Sequence, residues 1–169
     1  FYSNLKRIDV GSLRAIYDPE LMHRPNPKYF DHDQRGYRNE SALETAEIVS
    51  LGDSQTYGSG VKKEESWPMQ LQSISGASVY NMAMGGWGHV QSFLLLEDAQ
   101  KLKPKLVIFG LYLGNDLFDA YSVAYNIDNP ANILRDQTKI DEINILRRTQ
   151  PLSLDLSTKQ TFSLANHLV

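Results

Sequence analysis

Ser54, Gly86 and Asn115 each stand just behind a short apolar run, in "EIVSLGDSQTYG", "SVYNMAMGGWG" and "KLVIFGLYLGND". These residue types suit acyl chemistry. A serine hydroxyl attacks an ester only if its proton is removed during attack and the resulting oxyanion is stabilised. A glycine at a strand end lets a backbone N–H come close to that oxygen. An asparagine amide donates to the same oxygen from its side chain. Gly52 and Gly58 permit a sharp strand-to-helix path around Ser54. The peptide is not the G-x-S-x-G elbow, because position 56 is Thr. Each residue also has a bland alternative. Asp53-Ser54 makes a good helix N-cap. Gly86 suits a strand-ending turn, and Asn115 an Asx-turn with Asp116 capping or orienting the loop.

The elements that must position them follow from patterning. "EIVSLG" (47–52) is a short, β-branched run that stops at Gly-Asp-Ser, as a buried strand does. "ESWPMQLQSI" reads as a helix with Pro68 in its first turn. "SVYNMAM" (78–84) is a second strand. "HVQSFLLLEDAQKL" (89–102) reads as one helix, with Val90, Phe93 and Leu94 on its apolar side and Pro104 as its stop. "KLVIFGLYLG" (105–114) is a third strand, apolar throughout and expected to be covered on both faces. Strand, helix, strand, helix, strand predicts a parallel sheet with crossover helices. Ligand sites of such α/β sheets lie beyond the carboxyl ends of the strands, where all three peptides would converge.

Around this 47–125 core, residues 1–46 are rich in Pro and Asp turns ("RPNPKYF", "DHDQRGYRN") and read as an irregular lead-in. Residues 126–169 mix turn residues with a weak apolar period, giving either a helix and loop covering the site or a partly ordered linker.

The three peptides, in this order, resemble the blocks of the SGNH hydrolases, also called GDSL-type esterases. "GDSQT" is similar to the nucleophile block, "GGWG" to the glycine block and "GND" to the asparagine block. The resemblance spans roughly residues 34–125, and "RGYRN" looks like the lead-in of many bacterial members. It implies a flavodoxin-like three-layer α/β/α fold around a central parallel sheet. Ser54 would be nucleophile and, through its N–H, oxyanion donor; Gly86 and Asn115 would supply the other donors. Gly86 is preferred over Gly85 by aligning Asn81 and Gly88 with the family pattern. No cofactor and no metal are implied.

The family's Asp-x-x-His block, source of the base, has no match. None of His23, His32, His89 and His167 follows an Asp by three positions. His167 reads as a helix-face residue. His89 lies just past the glycine block and is either near the site or a surface residue at a helix N-terminus. The preferred expectation places the base beyond Val169. The first run, "FYSNLKRIDVG", likewise reads as a piece of a longer protein.

The 169 residues are 41% hydrophobic and 22% charged, with a formal net charge of -3. That is an ordinary globular composition, without a basic nucleic-acid surface. The absence of cysteine excludes disulfides and thiol catalysis. No apolar run reaches transmembrane length. Compartment stays open, an extracytoplasmic or membrane-associated parent protein included. Asn39-Glu40-Ser41 fits the glycosylation pattern, a match common by chance.

Two functions emerge. One is a serine esterase or O-acyltransferase acting on a small-molecule or carbohydrate ester, such as an O-acetylated sugar. The other is a catalytically incomplete domain that binds a carbohydrate or protein partner. A flavodoxin-like cofactor site fits poorly, because no G-x-G-x-x-G follows a strand. Trp67, Trp87, Tyr57, Tyr112 and Tyr121 are either pocket aromatics or core.

Overall fold

The computed structural model describes residues 13–121 and, further on, Asp136, Thr138, Asp141, Glu142 and Ile145. The chain divides into two units, Phe1–Pro130 and Ala131–Val169. In the second, Thr138, Asp141, Glu142 and Ile145 have helical backbone, and the Asp136 carboxylate accepts from the Thr138 N–H at 2.9 Å. The rest of the reading for 126–169, His167 included, lies outside the described residues.

In the first unit, strands β1 (Ala15–Asp18) and β2 (Met22–Pro25) form an antiparallel hairpin. Strand β3 (Ile48–Gly52) leads into a one-turn helix α1 (Ser54–Tyr57). A 3₁₀ turn (Lys63–Glu65) and α2 (Trp67–Ser75) lead to β4 (Val79–Asn81). Helices α3 (His89–Leu94) and α4 (Leu96–Lys101) lead to β5 (Leu106–Gly110), and α5 (Asp116–Tyr121) follows. The fold is α/β, with a three-stranded parallel sheet in the order β4-β3-β5. In register, Ser50 lies opposite Asn81 and Ile108, and Gly52 opposite Gly110.

This order explains where a site can form. From β3 the chain moves to one side to make β4, then crosses to the other side to make β5. Strand order therefore reverses at β3, and the crevice of such a reversal opens beyond its carboxyl end. Ser54 begins the helix at that end. The central strand is sealed: Val49, Ser50 and Leu51 are fully buried, beneath Trp87, Tyr80 and Leu102 among others.

Three expectations are corrected. The lead-in is not irregular throughout, since residues 15–25 make the hairpin. The single helix expected over 89–102 is two, divided at Leu95 (φ -81°, ψ -3°), and the last ends before Pro104, at Lys101. The buried face also differs from the one expected: Gln91, Leu95, Ala99 and Leu102 are buried, whereas Phe93 is 54% exposed. Finally, β5 is not covered on both faces. Leu106 is 51% and Phe109, which alternates to the opposite face, 46% exposed; among the described residues β5 is also an edge strand. Among the described residues no helix is long and apolar enough to cross a membrane.

Candidate functional site

Asp53 and Ser54 divide the roles that the sequence left open between them. The buried Asp53 is the N-cap of α1; its carboxylate accepts from the N–H of Gln55 (2.9 Å) and Thr56 (3.4 Å). The cap therefore belongs to Asp53, and Ser54 is left as the first helical residue. Its Oγ donates to Asp53 Oδ2 at 3.3 Å, and its N–H has no acceptor among the described residues. Gly52 makes the turn possible. Its φ is +157°, and a Cβ there would meet Thr56 Oγ1 at 2.3 Å and the Gly110 carbonyl at 2.9 Å.

The glycine block closes on this turn. The β3–β4 pairing is extended by Met82 N–H to Ser50 O (2.8 Å) and Met84 N–H to Gly52 O (3.3 Å). Gly85 then passes beside Ser54: a Cβ on Gly85 would lie 3.8 Å from Ser54 Cβ. Gly86 is exposed, at φ +82°, and its N–H also lacks an acceptor among the described residues. Among the described residues both backbone donors expected of an oxyanion hole are thus unspent, on loops that touch through Gly85 and Ser54.

Asn115 lies in the turn between β5 and α5. Its Nδ2 donates to Asp119 Oδ2 at 2.5 Å, which engages one of two amide hydrogens and leaves the other. Asp116 orients this turn: its Oδ2 accepts from the Tyr112 N–H at 2.8 Å while its own N–H donates to Tyr112 O at 3.1 Å. The asparagine and glycine loops touch, since a Cβ on Gly88 would meet Asp116 O at 3.2 Å and Asp119 Cβ at 3.6 Å.

Asp53, Asp116 and Asp119 therefore crowd one region. Burial, then repulsion from Asp53, raises both Asp116 and Asp119 above the ordinary carboxylate value. His89, the first residue of α3, partly offsets this at Asp116. His89 Nδ1 and Asp116 Oδ1 are both buried without a partner among the described residues. Asp116 is thus the carboxylate neighbour that His89 lacks in sequence. No imidazole bonds to Ser54 among the described residues. Nor is any group of three His, Asp or Glu there placed to hold a metal ion.

The lead-in braces the loop that follows Ser54. Arg38, pinned by Asp31 (Nε to Oδ2, 2.6 Å), donates to the carbonyls of Gly58 (2.7 Å), Val61 (3.0 Å) and Tyr57 (3.3 Å). Asn39 bonds to Asn81, and Asn81 Nδ2 donates to the Thr56 carbonyl at 2.9 Å. Of the aromatics, Trp87 and Tyr57 are core and Tyr112 is exposed. Sequence reasoning missed Asp119 and His23. The i,i+4 spacing from Asn115 could have revealed Asp119. His23 reaches Gly85 across 62 residues and leaves no local signal.

Comparison with protein-family models, curated proteins and solved structures finds no match for this chain.

Proposed function

We propose that this chain carries the nucleophile and oxyanion hole of an SGNH-type serine esterase or O-acyltransferase within a flavodoxin-like three-layer fold. One observation carries the reading. The loops after three parallel strands meet where strand order reverses, with Gly85 against Ser54 and unspent N–H groups on Ser54 and Gly86. Ser54 Oγ attacks the carbonyl carbon of an oxygen ester, and its proton passes to a base. The carbonyl oxygen becomes an oxyanion held by the N–H of Ser54 and Gly86 and by Asn115 Nδ2. Expulsion of the alcohol leaves an acyl-serine, which water or an acceptor hydroxyl then resolves. An O-acetylated carbohydrate is the substrate class to try first. The base is assigned outside the described residues, since His23 and His32 are committed elsewhere and Ser54 Oγ bonds to Asp53 with no imidazole on it among the described residues.

The direct experiment is p-nitrophenyl acetate hydrolysis by the full-length protein containing these residues. Ser54→Ala is expected to lower kcat by at least about 10³-fold. Equal rates in the two proteins overturn the reading.

A second reading is favoured by one observation: Ser54 Oγ is bonded to Asp53 rather than to an imidazole. A domain that keeps the pocket for binding would hold its serine this way. It predicts carbohydrate binding with no turnover and no acyl-serine.

A further inference from the structure

His23 grips the glycine block from the β1–β2 hairpin at two points. Its ring Nε2 lies 3.0 Å from the Gly85 carbonyl oxygen. A carbonyl oxygen only accepts, so Nε2 carries the proton and donates. The His23 backbone carbonyl in turn accepts from Trp87 Nε1 at 2.9 Å. The fully buried Trp87 anchors that side, with its ring 6.1 Å from the imidazole. Gly86 lies between the two gripped residues. Its own Cα is so close to His23 that a Cβ there would stand 3.4 Å from Cε1.

The Gly85 carbonyl and the Gly86 N–H belong to one peptide unit. In a planar trans peptide these groups point in opposite directions. Fixing the carbonyl toward His23 therefore fixes the N–H away from it. Trp87 N–H to Met84 O (3.2 Å) closes a turn around this peptide, but such a bond admits either orientation of the central peptide, and a glycine pair has no side chain to choose between them. Gly85 borders Ser54, so the freed N–H belongs to the loop facing the nucleophile.

We infer that His23 is a positioning residue for the oxyanion hole: through its Nε2–H it locks the Gly85–Gly86 peptide with the Gly86 N–H free for a developing oxyanion. The inference rests on the esterase reading for its catalytic consequence, but the lock itself does not need that reading. Donation from imidazole to the Gly85 oxygen also polarises the peptide, which makes the Gly86 N–H a stronger donor.

The test has a structural arm and a kinetic arm. In the structural arm, ¹⁵N spectra of wild type should show a proton on His23 Nε2, bonded to the Gly85 carbonyl. The Gly86 amide resonance should move in His23→Ala and stay near its wild-type position in His23→Gln, whose amide donates in the same place. Circular dichroism confirms that both variants are folded; if His23→Ala unfolds, His23→Leu takes its place. In the kinetic arm, His23→Ala in the full-length protein should lower kcat on p-nitrophenyl acetate roughly 10-fold with KM little changed. That is less than the 10²–10³ lost on removing an oxyanion donor outright. His23→Gln should restore most of it. An Nδ1–H tautomer, or a Gly86 amide indifferent to loss of the ring in a folded variant, overturns the lock. If Ser54→Ala is without effect, the esterase reading fails and the structural arm alone decides on His23. If Ser54 is essential and folded His23→Ala keeps full kcat, the positioning role is overturned and the esterase reading stands.

Discussion

The side chain of Asn39 pairs with the backbone of Asn81 as a neighbouring strand would. Asn39 Oδ1 accepts from the Asn81 N–H at 2.9 Å, and Asn39 Nδ2 donates to the Asn81 carbonyl at 3.1 Å. Asn81 ends β4 and passes the contact on through its own amide to Thr56 in α1. Both asparagines are buried. One lead-in residue thereby ties the free edge of the sheet to the turn that carries Ser54.

Truncating Asn39 strands both Asn81 backbone groups in the interior. Asn39→Ala is expected to cost about 1–3 kcal/mol, the penalty for leaving buried polar groups unpaired. Asn39→Asp should cost more at neutral pH. Nδ2 also donates to Asp33 Oδ2 at 3.1 Å, so a carboxylate there would face a carboxylate. Urea unfolding at two pH values measures both, and Asn39→Asp should recover part of its loss on acidification relative to Asn39→Ala.

Arg38 offers a sharper contrast. Its planar guanidinium reaches three carbonyls and Asp31 together and stacks 5.2 Å from the Tyr57 ring. A lysine cannot reproduce that fork. Arg38→Lys should lose about 1–3 kcal/mol, because carbonyls of Tyr57, Gly58 and Val61 are left without their donor. Hydrogen exchange should quicken at residues 57–61 before it does in β3; uniform protection across both would contradict the bracing role.

A pH effect comes from His32. Burial holds its pKa below the ordinary 6.5, against opposing contributions from the Asn26 carbonyl, Asp31 and Asp33. The folded ring is neutral: Nδ1–H donates to Asn26 O at 2.9 Å, and Nε2 accepts from the Tyr57 hydroxyl at 2.8 Å. The unfolded chain takes up the proton first as pH falls. His32 therefore contributes stability fully above about 6.5, and loses it as pH falls through the folded value. Unfolding free energy should decline from pH 7 to 5, with a shallower slope in His32→Gln.

Asp119 should act through Asn115. Asp119→Ala releases the amide and is expected to lower kcat roughly 10-fold, whereas Asp119→Asn keeps an acceptor oxygen and most of the rate. Neither should lower the melting temperature much, because burial already disfavours the charged carboxylate. Paired kinetics and thermal unfolding check both halves.

The sheet and its three loops were legible because β3, β4 and β5 are short apolar runs, each halted by turn chemistry. The roles of Asp53 and Ser54 were not separable there, since capping and nucleophilic chemistry use the same residue types. The hairpin was hidden because "MHRP" has no alternating pattern, and its strand character comes from pairing with "AIYD". The break at Leu95 was hidden because the apolar residues on either side fit one helical face and Leu95 itself keeps right-handed helical dihedrals. The contacts by which His23, Arg38 and Asn39 reach the glycine block, the loop after Ser54 and β4 join residues 19–64 positions apart, beyond any local signal.

The most direct measurement is covalent trapping of the nucleophile. The full-length protein is treated with a fluorophosphonate, from which serine displaces fluoride to leave a tetrahedral adduct with its phosphoryl oxygen in the oxyanion hole, and digested for mass spectrometry. The predicted result is a single phosphonylated peptide containing Ser54, absent from Ser54→Ala and formed more slowly in Asn115→Ala. No adduct on a folded protein, or an adduct that persists in Ser54→Ala, would contradict Ser54 as the nucleophile.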